Sequence, residues 1–141
     1  LKQYFDSNFI HFDVDIVLMF FDFLSEEQKE QFLEERTSII KDKIDSIKEM
    51  SYQKPQVIFK HSVRCSISSV IKHRLEKSSN LPDIDFYFLD LVKHRGISDK
   101  ISEIFSVYHE SPQVLLIKKG ECVYDESHSS ITMDEIVEQA A

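Results

Sequence analysis

The sequence predicts an α/β fold in which a mixed central sheet is flanked by helices. After Pro55, short runs rich in β-branched and aromatic residues alternate with segments of helical periodicity. A Lys-Lys-Gly-Glu turn at residues 118–121 joins two of the strand-like runs directly. Strand-helix-strand crossovers require parallel neighbours, whereas a tight turn requires an antiparallel pair, so the sheet is expected to be mixed. The predicted order over residues 55–141 is β-α-β-α-β-β-α.

The individual elements follow from apolar patterning and from residues that begin or end helices. Ser25 and Gln28 are spaced as a capping box, which predicts a helix to about Met50, either continuous or broken near residues 37–38. Strands are predicted over residues 56–60, 84–92 and 114–117. Further helices are predicted over residues 66–79, from a cap at Ser98, and from Thr132 to about residue 139. The apolar residues at helical spacing in the first of these are Ile67, Val70, Ile71 and Leu75.

The N-terminal part of the chain has a different character from the rest. The apolar run over residues 9–24 is interrupted by Asp13, Asp15 and Asp22, and it is shorter than the roughly 20 residues of a spanning helix. Only Lys2 precedes it as a basic residue, which is not typical of a signal peptide. Partial alternation over residues 9–20 favours a strand. We therefore divide the chain into an N-terminal helical extension of unknown role, residues 1–36, and a thioredoxin-like α/β domain, residues 37–141. An interaction surface and an extra strand at the sheet edge are among the roles open to the extension.

Composition narrows the class of partner. The 141 residues carry 25 acidic and 17 basic side chains, a net charge of -8, which argues against nucleic acid or an anionic membrane as a partner. The two cysteines are far apart and have no close Cys or His neighbours in a metal-ligand spacing, so neither a disulfide framework nor a metal site is predicted. A reducing compartment follows, and we expect the protein to be cytoplasmic.

The residue that carries chemistry is Cys65, placed between the end of a predicted strand and the start of a predicted helix. Free backbone N–H groups and the positive end of the helix dipole stabilise an anion there. Lys60, His61 and Arg64 add positive charge nearby. Because the thiolate is the attacking species in disulfide exchange, this placement predicts a reactive cysteine.

Ser68 occupies the position three residues after Cys65, where a dithiol site would have its second cysteine. No internal disulfide can form within that turn, but a single thiolate can still attack a mixed disulfide between a protein and a small thiol. Ser68 is expected either to donate a hydrogen bond to the Cys65 thiolate or to extend the cap of the helix. Pro112 directly precedes a buried strand, where a residue without an N–H group suits a rigid turn.

Two segments resemble the YtxJ family of bacillithiol-system redox proteins, the monothiol bacilliredoxins. One is Phe-Lys-His-Ser-x-x-Cys at residues 59–65, and the other is His-x-Ser-Pro-Gln at residues 109–113. Agreement continues through Phe-Tyr-Phe-Leu-Asp-Leu at residues 86–91, His-Arg at residues 94–95 and Ser-His at residues 127–128. The sequence departs from the usual Cys-Pro-Ile-Ser of the family in having Ser66 after the cysteine.

The resemblance implies a thioredoxin-like fold and a monothiol thiol-disulfide oxidoreductase. Such an enzyme removes bacillithiol from S-thiolated client proteins, with the small thiol as co-substrate and no bound cofactor. It implies Cys65 as the nucleophile and a cis peptide bond before Pro112, which leaves the backbone at Ser111 free to pair with an incoming chain. The catalytic residues expected are Cys65 and Ser68. The substrate-binding residues expected are Lys60, His61, Arg64, Ser111 and Pro112.

Two other classes of function stay open from the residues alone. One is a thioredoxin-like binding module in which Cys65 only packs, and the other is an iron-sulfur carrier of the monothiol glutaredoxin kind, whose motif has Gly where Ser66 stands here. Cys122 lies in a predicted hairpin strand and is expected to be a structural residue, with a distal resolving thiol as its alternative. His61 and His128 are candidate site residues, whereas His11, His73 and His94 are expected to be solvated or capping.

Overall fold

A five-stranded mixed sheet lies at the centre of this computed structural model, which describes residues 9–11, 25–78, 83–92 and 94–141. The strands are β1 (Phe9–His11), β2 (Gln56–His61), β3 (Asp85–Asp90), β4 (Gln113–Lys118) and β5 (Glu121–Ser127). The helices are α1 (Glu26–Met50), α2 (Ser66–Glu76), α3 (Arg95–Phe105) and α4 (Met133–Ala140), with a 3-10 turn at His128–Ser130. The strands are ordered β1-β3-β2-β4-β5 across the sheet.

The sheet combines parallel and antiparallel pairs. β2 and β3 are parallel, with Ile58 opposite Tyr87, since α2 crosses between them. β4 is antiparallel to β2, with Lys60 opposite Gln113, and the turn at Gly120 pairs β4 with an antiparallel β5. Gly120 has a φ of 81°, which an L side chain adopts only with strain. The predicted mixed sheet and element order are confirmed.

β1 extends the sheet at its edge, parallel to β3. An extra edge strand was one of the roles left open for the N-terminal extension, and residues 9–11 form such a strand. The remainder of the predicted strand, residues 12–20, lies outside the described residues. α1 passes through residue 36 without a break, and the division of the chain at that residue stays a prediction.

α1 is one continuous helix, not two. The predicted capping box is present, because the Gln28 N–H donates to Ser25 Oγ at 3.2 Å and the Ser25 N–H donates to Gln28 Oε1 at 2.9 Å. Ile44 and Ile47 of its C-terminal half are fully buried against the sheet. No helix among the described residues has both the length and the apolar character needed to cross a membrane.

The core is divided by the sheet into two layers. One packs α2 and α4 against β2 through residues such as Phe59, Ile71 and Ile136. The other packs α1 and α3 against the opposite face through residues such as Ile58, Ile47 and Ile101. Because successive side chains of a strand point to opposite faces, neighbouring residues of β2 contribute to different layers.

The predicted start of α3 is wrong. The helix begins at Arg95 with His94 as its N-cap, and the expected cap, Ser98, is buried one turn inside. Its side-chain oxygen lies 2.9 Å from His109 Nδ1, a residue of the loop beyond the helix. The hydroxyl of Ser98 is used in this tertiary contact and not in capping the helix, and local sequence does not reveal the contact. The last helix agrees better, since the Glu135 N–H donates to the predicted cap at Thr132 Oγ1 over 3.3 Å.

Candidate functional site

Cys65 is the N-cap residue of α2, as the sequence predicts. Its backbone is extended, with φ of -103° and ψ of 121°, and its side chain makes no capping hydrogen bond. The Cys65 N–H donates to the Ser62 carbonyl at 3.1 Å, and the Cys65 carbonyl accepts from the Ser69 N–H at 3.1 Å. The residue is partly exposed and the thiol is free. The backbone is thus fixed on both sides while the sulfur is not engaged in capping the helix.

Ser68, three residues on, is fully buried beneath this turn. Its oxygen accepts a hydrogen bond from the Ser62 N–H at 3.0 Å and lies 2.6 Å from His61 Nδ1. The hydroxyl therefore ties the end of β2 and the first turn of α2 together. A hydrogen bond from Ser68 to a Cys65 thiolate stays a prediction.

His61 is a core residue of the site, only 3% exposed. Its ring centroid lies 5.2 Å from that of Phe88 and 5.8 Å from that of Phe59. Burial, and then the nearby charge of Lys72, lower the pKa of His61 below its ordinary value of 6.5. At neutral pH the imidazole is uncharged, so His61 supports Ser68 as a hydrogen-bonding ring and adds no positive charge beside Cys65.

Lys60 was expected near Cys65 as well, but the structure separates the two residues. Its side chain leaves β2 on the face covered by α3, and its Nζ lies 2.9 Å from Ser102 Oγ. His61, the next residue, points to the α2 face. The sequence treated both as one basic cluster, whereas strand geometry sends them to opposite sides of the sheet. Arg64 is exposed and forms no hydrogen bond or ion pair with the residues that the structure describes.

The peptide bond between Ser111 and Pro112 is cis, as the resemblance implies. Pro112 directly precedes Gln113, which is paired with Lys60, so it lies at the end of β2 that leads to Cys65. The Pro112 carbonyl accepts from the His128 N–H at 2.9 Å. Ser111 Oγ is buried and has no hydrogen-bond partner within the described ranges. The two chain segments predicted to form the site therefore meet at one end of the sheet.

Exposed apolar side chains surround Cys65 in the chain, and sequence reasoning missed them. Val63, Ile67 and Val70 are 57%, 49% and 59% exposed. Ile67 and Val70 were expected on the periodic face of α2, but the buried residues of that helix are Ser68, Ile71 and Leu75. A buried serine displaces the inward face by one position, which apolar spacing alone does not indicate.

Glu110 and His128 form a polar pair beside the proline turn. Glu110 accepts a hydrogen bond from the Ser127 hydroxyl, and its other carboxylate oxygen lies 3.9 Å from His128 Nε2. Glu110 is the unspecified position of the His-x-Ser-Pro-Gln segment and was not among the expected site residues. His128 was a candidate site residue, and the structure brings it to the turn that contains Pro112.

Cys122, the second cysteine, lies at the other end of the sheet near the Gly120 turn. Its Sγ donates to the Tyr124 carbonyl at 3.3 Å. Burial raises the pKa of Cys122 to about 11, with the charge of Asp125 as a second cause, so the thiol stays protonated at neutral pH. It borders a cavity of about 820 Å³ that Tyr52 and Gly120 also line. This cavity is remote from α2, and we place the functional site at Cys65 on chemical grounds.

No group of three or more His, Cys, Asp or Glu side chains that could hold a metal ion occurs in the described part of the chain.

Comparisons with known proteins agree with this geometry. The family model of the monothiol bacilliredoxin BrxC matches residues 25–136. A structure described as that of a proposed oxidoreductase with a thioredoxin fold has a TM-score of 0.62 at 25% identity, with 98% of each chain covered. Fasciola hepatica thioredoxin has a TM-score of 0.56 at 18% identity over 70% of this chain and 91% of its own. Malassezia sympodialis thioredoxin has a TM-score of 0.55 at 19% identity over 69% of this chain and 85% of its own.

Proposed function

Because the chain belongs to the monothiol bacilliredoxin family, we propose that it removes a bacillithiol-type small thiol from mixed disulfides on client proteins in the cytoplasm. The thioredoxin-like fold and the family both indicate a thiol redox function. The proposal assigns the nucleophilic sulfur to Cys65 and treats the small thiol as a co-substrate that no resident cofactor replaces.

The chemistry is an exchange of one S–S bond for another. The Cys65 thiolate attacks the small-thiol sulfur of the mixed disulfide, the old S–S bond breaks, and the client leaves as a thiolate. Cys65 now carries the small thiol. A second molecule of small thiol, as its thiolate, attacks the sulfur bound to Cys65, which releases a small-thiol disulfide and regenerates the Cys65 thiolate. The client sulfur is reduced, and the second small thiol is oxidised as it joins the first in a disulfide.

The contrast between the two cysteines carries this proposal. Cys65 is partly exposed at a helix N-terminus, where backbone N–H groups favour an anion. Cys122 is partly exposed too, but it lies in a hairpin strand away from the N-terminus of any described helix, and burial raises the pKa of its thiol to about 11. Ser68 at the resolving position holds a hydroxyl, so the small thiol on Cys65 is removed by another molecule and not by a neighbouring cysteine.

Residues around Cys65 suit contact with a client protein. The exposed side chains of Val63, Ile67 and Val70 offer an apolar surface beside the thiol. Arg64 is exposed among them and is available to a carboxylate of the client or of the small thiol. We propose that the backbone at Ser111 pairs with the client segment that carries the disulfide.

The experiment uses a test protein with one surface cysteine loaded with bacillithiol. Intact mass spectrometry follows loss of the small thiol from the test protein and its appearance on the enzyme. The wild-type and Cys122→Ala proteins are expected to reduce the substrate, whereas Cys65→Ala is expected to be inactive. In the absence of excess bacillithiol, Cys122→Ala is expected to accumulate one bacillithiol on Cys65.

Parallel substrates loaded with glutathione or cysteine test the choice of small thiol. Equal rates with all three would reject selectivity for bacillithiol. Undiminished turnover by Cys65→Ala would reject the assignment of the nucleophile. A wild-type protein that binds client proteins but reduces none of the three substrates would favour the binding-module alternative.

A further inference from the structure

A buried polar cluster lies on the face of the sheet opposite Cys65. Lys60 Nζ is 2.9 Å from Ser102 Oγ, 3.4 Å from the Ser98 carbonyl and 3.5 Å from His109 Nδ1. Ser98 Oγ lies 2.9 Å from the same His109 nitrogen. The cluster therefore joins three pieces of chain: β2 through Lys60, α3 through its two serines, and the loop that leads into β4 through His109.

The protonation states of this cluster follow from its surroundings. Lys60 is 0% exposed and forms no ion pair with a carboxylate of the described residues. Desolvation lowers its pKa to about 8, so the amine is still mainly charged at pH 7. Burial, followed by the charge of Lys60, lowers the pKa of His109. His109 is therefore neutral at pH 7. Its Nδ1 accepts from the Lys60 ammonium, which has only donors, so the ring proton is on Nε2.

Other charges face the two residues from every side. Arg95 and Asp99 of α3 act on both Lys60 and His109, with opposite signs. Glu110, the next residue in the loop, favours the charged form of His109. Cys122 of β5 also faces Lys60, but its raised pKa keeps it uncharged near pH 7.

The loop held by this cluster is the one that presents Ser111 and Pro112. His109 precedes Ser111 by two residues. The loop is closed on itself by Gln113, whose Nε2 donates to the Tyr108 carbonyl at 2.9 Å and whose Oε1 accepts from the Glu110 N–H at 3.4 Å. The Val107 N–H donates to the Ser102 carbonyl of α3 at 3.1 Å, and His109 adds the side-chain bond to α3 through Ser98. Gln113 is paired with Lys60 in the sheet.

We infer that Lys60 and His109 are positioning residues for the exchange reaction: their contact ties the loop that carries Ser111 and Pro112 to β2, beside the bond from His109 to Ser98 of α3, and protonation of His109 breaks the contact with Lys60. Protonation of Nδ1, 3.5 Å from a buried ammonium, places a second positive charge there, which repels Lys60 and removes the acceptor of the ammonium, while the new N–H donates to Ser98 Oγ. Because the effect on turnover rests on the proposed function, the contact between Lys60 and His109 is also tested by measurements that do not require activity.

The first measurement is an NMR titration of the His109 ring in the wild-type, Lys60→Met and Lys100→Met proteins. The Met side chain preserves the packing of a buried lysine stem without its charge. The His109 midpoint is expected to lie below 6.5 in the wild type and to rise in Lys60→Met. It is expected to stay unchanged in Lys100→Met, which alters a partly exposed lysine of α3 that is paired with Glu103. Equal midpoints in wild type and Lys60→Met would overturn the contact.

The second measurement compares His109→Ala with His109→Asn, whose amide oxygen replaces the Nδ1 acceptor but does not titrate. His109→Ala is expected to lower kcat/KM about tenfold at pH 7.5, because misplaced groups near a reacting centre cost up to about 100-fold in rate. His109→Asn is expected to restore most of the loss. Thiol protonation affects the wild type and His109→Asn equally, so it cancels in the ratio of their kcat/KM values. As the pH is lowered, this ratio is expected to fall with a midpoint equal to the NMR midpoint of His109.

Amide hydrogen exchange gives a third reading, which holds even for a protein without turnover. His109→Ala is expected to speed exchange over residues 107–113 and to leave α4 unchanged, while His109→Asn resembles the wild type. An inactive wild type would refute the proposed function and leave the titration and exchange results to decide the anchoring. Unchanged loop exchange in His109→Ala, or a rate ratio that is flat through the midpoint, would overturn the positioning role.

Discussion

Replacing Ser68 by Ala removes a hydroxyl that joins β2 to α2 and leaves two polar groups without their hydrogen-bond partner. Ser62 loses the acceptor of its N–H at 3.0 Å, and His61 Nδ1 loses its partner at 2.6 Å. His61 is 3% exposed, so water does not replace that bond, whereas Ser62 is only partly buried. An unsatisfied buried group costs about 1–3 kcal/mol, and we expect Ser68→Ala to lower the free energy of unfolding by about 2–3 kcal/mol.

Urea denaturation followed by far-UV circular dichroism, with the thiols kept reduced at pH 7.5, measures this loss. The matched control is Ser69→Ala, because Ser69 is exposed and, among the described residues, its hydroxyl bonds only to the Cys65 carbonyl, at 3.3 Å. Exposed substitutions of this kind change stability by about 0.5 kcal/mol or less. Equal losses for the two variants, or a loss below 0.5 kcal/mol for Ser68→Ala, would refute the role given to the buried hydroxyl.

Three further predictions concern stability, each measured by the same denaturation assay. Between pH 8 and 10.5 the unfolded chain keeps a proton that folded Lys60 has lost. The free energy of unfolding of the wild type is therefore expected to rise by about 3 kcal/mol relative to that of Lys60→Met across this range. A constant difference between the two proteins would contradict this prediction. Gly120→Ala is expected to lower the free energy of unfolding by about 1–2 kcal/mol because φ is 81°, and Gly120→Asn is expected to lower it by less. The new Cβ would contact the ring of Tyr52, which is exposed and can rotate away. Ile71→Ala should cost about 2–4 kcal/mol and Val70→Ala almost nothing, and the reverse order would show that α2 faces the sheet differently.

Local sequence was sufficient to predict those features that depend on residues close together in the chain. The capping box at Ser25 begins α1 because side chain and backbone three residues apart satisfy each other. The Gly120 turn forces an antiparallel pair, and the β-branched and aromatic runs become β2, β3 and β4 within two residues of the predicted bounds. The position of Cys65 at a strand-to-helix junction follows from these elements, and the cis bond before Pro112 was available only through family resemblance.

Features that depend on a distant partner could not be predicted in this way. Ser98 has the character of a helix cap, but its hydroxyl is taken by His109, which lies 11 residues further along the chain. Ile67 and Val70 have the spacing of a buried face, but Ser68 fills that face because His61 provides a partner for its hydroxyl. In each case a polar residue is buried by a hydrogen bond formed only in the folded chain.

The end of β2 shows how one strand holds both halves of the site. Successive residues of a strand point to opposite faces, so Lys60 enters the α3 layer and His61 enters the α2 layer. His61 meets Ser68 and fixes the turn that presents Cys65. Lys60 meets His109, in the loop that leads to Pro112. Shifting this pair by one position would exchange the two layers and separate each side chain from its partner, so the order Lys-His follows from the alternation of the strand and not from net charge.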